Sequence, residues 1–131
     1  MLARDKILEK LKIYLDHDRI GMSKDQYLMM CEQTNTEIDW DRCPAEIEDF
    51  PASVHTAMNI YNSLGDRIYG DVGYTGKDYT NLSIFLELYK VEPYEKDWIM
   101  ELILFLEART IEESQKRLKA EIDKMKNKNG R

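Results

Sequence analysis

The sequence predicts an all-α protein, a small helical bundle of about five helices with a Gly/Tyr-rich loop and a long C-terminal helix. Three observations carry that expectation. Apolar residues recur at three- and four-residue spacing through most of the chain, which lines one face of an α-helix. The 3 prolines, Pro44, Pro51 and Pro93, fall between these stretches and never within one. The 131 residues are 43% apolar and 34% charged, too apolar for a disordered chain and too charged for a membrane protein. A chain of this length fits a single helical domain. Its expected parts are an N-terminal helix pair (1–33), an acidic connector (34–50), core helices (51–110) and a basic helical tail (111–131).

The elements follow in order. RDKILEKLKIYLDHD sets Ile7, Leu8, Leu11, Tyr14 and Leu15 on one side with lysines opposite, an amphipathic helix. Past Gly21, SKDQYLMMCEQ places Ser23 three residues before Gln26, the capping-box spacing that satisfies two orphan amides reciprocally. Residues 34–50 lose the periodicity and gather Glu37, Asp39, Asp41, Glu46, Glu48 and Asp49 against Arg42, a net charge of −5 by that count. Trp40 and Phe50 are expected to pin this connector onto a neighbouring helix. Pro51 suits the first turn of a third helix, with Val54, Ala57, Met58, Tyr61 and Leu64 on one face and Gly65 at its end. Beyond the glycines, Thr80 is the candidate cap of a fourth helix carrying Leu82, Phe85, Leu86 and Tyr89.

After Pro93 the chain meets no proline and no glycine before Gly130, so the last helix can run for about 30 residues. From Trp98 to Leu106 it is apolar on more than one face, as in the middle of a bundle. Leu104, Ile111, Leu118 and Met125 then recur at sevens, with Ala108, Gln115 and Ile122 interleaved. That is a narrow heptad seam of the coiled-coil kind. It either lies along its own domain or packs on a companion helix, from a second copy or from a partner protein. The tail also carries Lys116, Arg117, Lys119, Lys124, Lys126, Lys128 and Arg131 against Glu121 and Asp123, net +5. The whole chain is at −6, which argues against general nucleic-acid binding and confines that reading to the basic tail.

GDVGYTGKDYT, residues 70–80, raises the question of phosphate. A Walker loop needs G-x-x-x-x-G-K-[ST] after a strand. Here Asp71 replaces the first glycine and Asp78 follows Gly76-Lys77. The dinucleotide fingerprint fails too, because Gly70, Gly73 and Gly76 are spaced three and three. The glycines are expected to give a compact surface loop. Its Tyr69, Tyr74 and Tyr79 either anchor it to the bundle or present a rim to another protein. His17 and His55 have no second ligand at helical spacing. Cys31 lies in an apolar run and is expected to pack as a small hydrophobe. Cys43 sits among carboxylates expected to raise its pKa. The sequence therefore predicts no catalytic residues, no cofactor, no metal and no enzyme activity. Without an 18-residue apolar run or a signal peptide's apolar stretch, a cytoplasmic protein with both cysteines as thiols is expected.

The order CPAEIEDFP, ASVHTAMNIYNSL, GYTGKDYTNL resembles small tail-assembly proteins of tailed bacteriophages, chaperone-like proteins encoded near the tape-measure gene with an FP…A…G…GxDYxxL layout. It is also similar to baseplate hub assembly proteins of contractile tails. Residues 44–90 carry the likeness, through Phe50, Pro51, Ala57, Gly73, Gly76, Asp78, Tyr79 and Leu82. The N-terminal helix pair and the basic C-terminal helix lie outside it. The resemblance implies an all-helical protein of the host cytoplasm that holds a tail, tape-measure or baseplate component before virion assembly and needs no active site. Seven Met and 8 Tyr suit such adaptable contacts. The expected partner-binding residues are Tyr69, Tyr74, Tyr79, Ile111, Leu118, Ile122 and Met125, with no membrane partner. The alternatives are a permanent structural subunit of a tail or baseplate, and a small regulator that binds host machinery or nucleic acid through the basic helix.

Overall fold

A computed structural model describes residues 2–20 and 22–129, including the side chains of 4–16 and 22–128. Its helices are α1 (Leu2–Ile20), α2 (Lys24–Gln33), α3 (Ala52–Ser63), α4 (Leu82–Leu88) and α5 (Lys96–Asn129). Between α3 and α4 the chain forms two strands, β1 (Gly65–Tyr69) and β2 (Gly73–Asp78), paired antiparallel. This hairpin corrects the all-α expectation: the fold is mixed α/β, 68% helical, with five α-helices and one two-stranded sheet. Contacts cluster the chain into two compact units, Met1–Ala52 and Ser53–Arg131.

In the first unit Leu11, Cys31, Cys43 and Phe50 are buried. Ser23 accepts from the Gln26 amide and the Gln26 side chain accepts from the Ser23 amide, so the capping box that starts α2 is formed. The connector has no regular ladder; short turns pair some of its backbone groups and side chains take up others. Lys10 Nζ donates to the carbonyls of Trp40 (2.6 Å), Asp41 (3.1 Å) and Cys43 (3.4 Å). Tyr27 bonds both backbone groups of Asp39, and Lys24 pairs with Asp49 at 3.0 Å. Phe50 pins the connector as expected, edge-on to Tyr14 with ring centroids 5.6 Å apart. Trp40 does not, and stays 62% exposed.

In the second unit α3 buries Val54, Ala57, Ile60 and Tyr61, and α5 buries Trp98, Ile99, Leu102, Ile103 and Leu106. Each large apolar side chain among them contributes about 1.5–3 kcal/mol on burial. Two hydrogen bonds tie the helices, Trp98 Nε1 to Ser53 Oγ (2.9 Å) and Tyr61 OH to Thr110 Oγ1 (2.7 Å). Helix α4 has no fully buried residue. Its N-cap is Asn81, because the Thr80 hydroxyl and amide are spent on Asp78. Helix α5 has 34 residues, a rod of roughly 50 Å at the usual rise. No described helix is long and apolar enough to cross a membrane.

Candidate protein-binding surface on the hairpin and the long helix

Most of the glycine-rich stretch is the strand β2, which lies against α5, and two of its glycines, Gly73 and Gly76, mark places of close approach. Gly76 has φ +131°, and a Cβ there would come within 3.0 Å of Glu107 Oε2. Gly73 has φ +83°, and its Cβ would meet Ser114 Oγ at 3.2 Å. Glu107 and Ser114 are seven residues apart, two turns along the same side of α5. Between the glycines, Thr75 is the extra residue of a β-bulge: Arg67 pairs with Gly76 and Ile68 with Tyr74. The Thr75 hydroxyl donates to the Arg67 carbonyl at 2.9 Å, and the bulge turns Tyr74 toward α5.

Polar side chains of α5 receive the strand's donors. Glu107 Oε2 accepts from the Lys77 amide (2.8 Å) and from the Tyr79 hydroxyl (2.6 Å). Ser114 Oγ accepts from the Tyr74 amide at 3.3 Å. The Tyr74 and Tyr61 hydroxyls are 3.0 Å apart. Since Tyr61 gives its proton to Thr110 and Thr110 gives its own to the Leu106 carbonyl, Tyr74 must donate to Tyr61. Three hydroxyls thus form a one-way relay that ends on a backbone oxygen. Burial, followed by the bond with Tyr61, raises the Tyr74 pKa strongly. Burial and then the bond to Glu107 do the same for Tyr79.

Lys77 occupies the position where a phosphate loop would aim its lysine, yet it points inward. It is 8% exposed, with Nζ 2.7 Å from Asp66 Oδ1, 3.2 Å from the Leu64 carbonyl and 4.4 Å from the Tyr61 ring centre. Its charge is engaged within the unit, by an ion pair and a cation–π contact.

The expected partner-binding residues are thereby divided. Tyr74 and Tyr79 are half-buried, with their hydroxyls committed to the unit's own network. Tyr69 is exposed, and its hydroxyl accepts from Arg67. Ile111 and Leu118 are half-buried, while Ile122 is 43% and Met125 63% exposed. Leu104, at the head of the same seam, is also exposed. Beside the seam, Asp71 and Val72 at the hairpin tip and Leu118, Lys119, Ile122 and Lys126 of α5 line an open groove of about 450 Å³. The hairpin tip as a wall of this groove was not foreseen from the sequence. The run Arg67-Ile68-Tyr69, then three residues, then Gly73-Tyr74-Thr75 was the available signal.

Elsewhere the chemistry is quiet. Cys31 and Cys43 are buried, free thiols. Cys43 has a raised pKa, but burial is the first cause and the nearby Asp49 a minor one, opposed by Lys24 and Lys10; the expected carboxylate effect is secondary. The side chain of His17 lies outside the described residues. Among the described residues no three His, Cys, Asp or Glu side chains converge on a point that suits a metal ion. No protein-family model matches the chain, and no curated protein and no solved structure matches it.

Proposed function

We propose that the chain is a non-enzymatic assembly factor that binds a bacteriophage tail, tape-measure or baseplate component stoichiometrically, docking a partner helix on the seam of α5. The observation that supports this most is the uncovered stripe itself. Leu104, Ile122 and Met125 stand exposed on one helix, at the spacing with which helices pack, beside a groove walled by the hairpin tip. A helix-in-groove mode needs such anchors at i, i+4 and i+7, and Leu118, Ile122 and Met125 supply them. The resemblance through Phe50, Pro51, Ala57, Gly73, Gly76, Asp78, Tyr79 and Leu82 supports the phage assignment. Of these, Gly76 and Tyr79 are residues that seat the hairpin on α5.

The test is co-expression with candidate tail, tape-measure and baseplate hub proteins. Leu118→Ser/Ile122→Ser/Met125→Ser should abolish co-purification and the partner's gain in solubility, while lowering the unfolding midpoint only modestly, through half-buried Leu118 and the weaker helix propensity of serine. Retained co-purification in that triple variant overturns the seam as the contact. The size of the free protein in solution, with and without residues 111–131, reports whether a second copy occupies the same stripe.

A further inference from the structure

Because the connector of the first unit lacks a ladder, Lys10 gathers three of its carbonyls, and the chain so held borders an open cavity of about 350 Å³. Its walls are apolar, with Ile7, Pro44, Phe50 and the exposed indole of Trp40 among them. Its charged groups are Lys6, Lys10 and Lys24 against the single carboxylate of Asp49. Lys24 and Asp49 cancel, at 3.0 and 3.2 Å. Lys10 spends its three donors on neutral carbonyls, and Lys6 and Lys10 also line an adjoining cavity with Glu9 and Asp41. Among the described residues, Lys6 forms no hydrogen bond or ion pair.

An excess of positive charge in a chain of net −6 is a local feature. The neighbouring cavity, lined by Lys24 with Glu46 and Glu48, has the opposite balance. A concave apolar site of this volume with a few convergent polar groups matches the general form of small-molecule sites. The walls call for a flat apolar body and the lysines for an anion. Inorganic phosphate would answer only the second requirement, and a neutral arene only the first.

We propose that this cavity binds a small aromatic carboxylate, its ring against Trp40 and Phe50 and its carboxylate at the ammonium group of Lys6, with the charge of Lys10 alongside. The site lies in the first unit, and it stands or falls independently of the seam on α5.

Calorimetric titration of the full chain with 1-naphthaleneacetate, followed in parallel by tryptophan fluorescence, tests it. Saturable one-to-one binding is expected, weakened by salt. The neutral isostere 1-naphthaleneacetamide should bind at least about tenfold more weakly, as should the acid to Lys6→Gln, in keeping with the usual strength of a charge-assisted contact. Trp40→Ala should lose a similar factor. Both positions are at the surface, so circular dichroism and the unfolding midpoint should stay as in the unaltered protein. Absence of saturable binding overturns the proposal. So does equal affinity for acid and amide, unchanged affinity in Lys6→Gln and Trp40→Ala, or inorganic phosphate competing as well as the aromatic acid.

Discussion

The two ends of α5 are built from the same helical backbone and hold opposite positions. From Trp98 to Ser114 nearly every turn is engaged, since five apolar side chains are buried, Thr110 extends the hydroxyl relay to a backbone carbonyl, and Glu107 and Ser114 receive the hairpin. From Gln115 onward no described side chain is fully buried. The distal half stays helical because it extends a helix already nucleated by packing, so each added residue fixes two dihedrals for one hydrogen bond. The Glu112–Lys116 pair at i,i+4, which spans the boundary, and the lysines of the last turn, placed to suit the macrodipole, add small increments. The difference teaches that helix length and core membership are separate properties: the first half is packed into the core, while the narrow stripe of the second is left uncovered.

The largest expected effect sharpens that contrast directly. Leu102→Ala should lower the unfolding free energy by about 2–5 kcal/mol, as deletions at fully buried sites do. Ile122→Ala, about five turns further along, should change it by less than about 0.5 kcal/mol. Urea denaturation of the two variants measures both. Comparable losses would mean that the distal half belongs to the core after all.

A smaller effect concerns the strand that the proximal half receives. Gly76→Ala must hold φ near +131° and bring a Cβ against Glu107. It should cost about 1–3 kcal/mol. Glu107→Ala should cost about as much, since it leaves the Lys77 amide and the Tyr79 hydroxyl without their acceptor. The two losses should not add. With the carboxylate gone, the Gly76→Ala side chain has room and only the backbone cost remains, so the double variant should be more stable than the sum of the singles implies. Additive losses in a double-mutant cycle would show that the close approach of strand and helix is not what the glycine serves.

These residues also show how far the sequence was legible. The helices were, because periodicity and the Ser23–Gln26 cap are local signals. So was the division of α5, since its apolar face narrows after Leu106. The hairpin was not. Every residue of β1 is exposed, so no apolar alternation marks it, and β2 is held by Glu107 and Ser114, about 30 and 40 residues further on. The glycines read as freedom to turn, and Gly73 and Gly76 do use it at φ +83° and +131°; what no local pattern announces is that both also permit close approach to a helix. Trp40 was misplaced for a similar reason: an aromatic in a connector often pins it, but here the Lys10 ammonium holds the connector through carbonyls. The groove beside the seam needed the hairpin tip and was invisible without it.

The last effect separates the halves by pH. The Tyr79 hydroxyl ties the hairpin to Glu107 of α5 and the Tyr74 hydroxyl ties it to Tyr61 of α3, and both have pKa values raised, first by burial and then by Glu107 and Tyr61 respectively. In the unfolded chain these phenols ionise near the usual value of about 10. Below that pH both states keep their protons, and the contribution to stability is fully present. Above it the unfolded chain loses protons that the folded protein retains, so stability falls as pH rises toward the folded-state pKa values. Between about pH 10 and 11, unfolding should release roughly one to two protons from this pair, and the urea midpoint should drop accordingly. Tyr74→Phe/Tyr79→Phe should start from a lower stability yet show a flatter alkaline slope. The distal half holds no tyrosine, so Ile122→Ala should follow the unaltered slope. An identical alkaline decline in the double phenylalanine variant would place the titration elsewhere and remove the two hydroxyls from the account of how the hairpin is held.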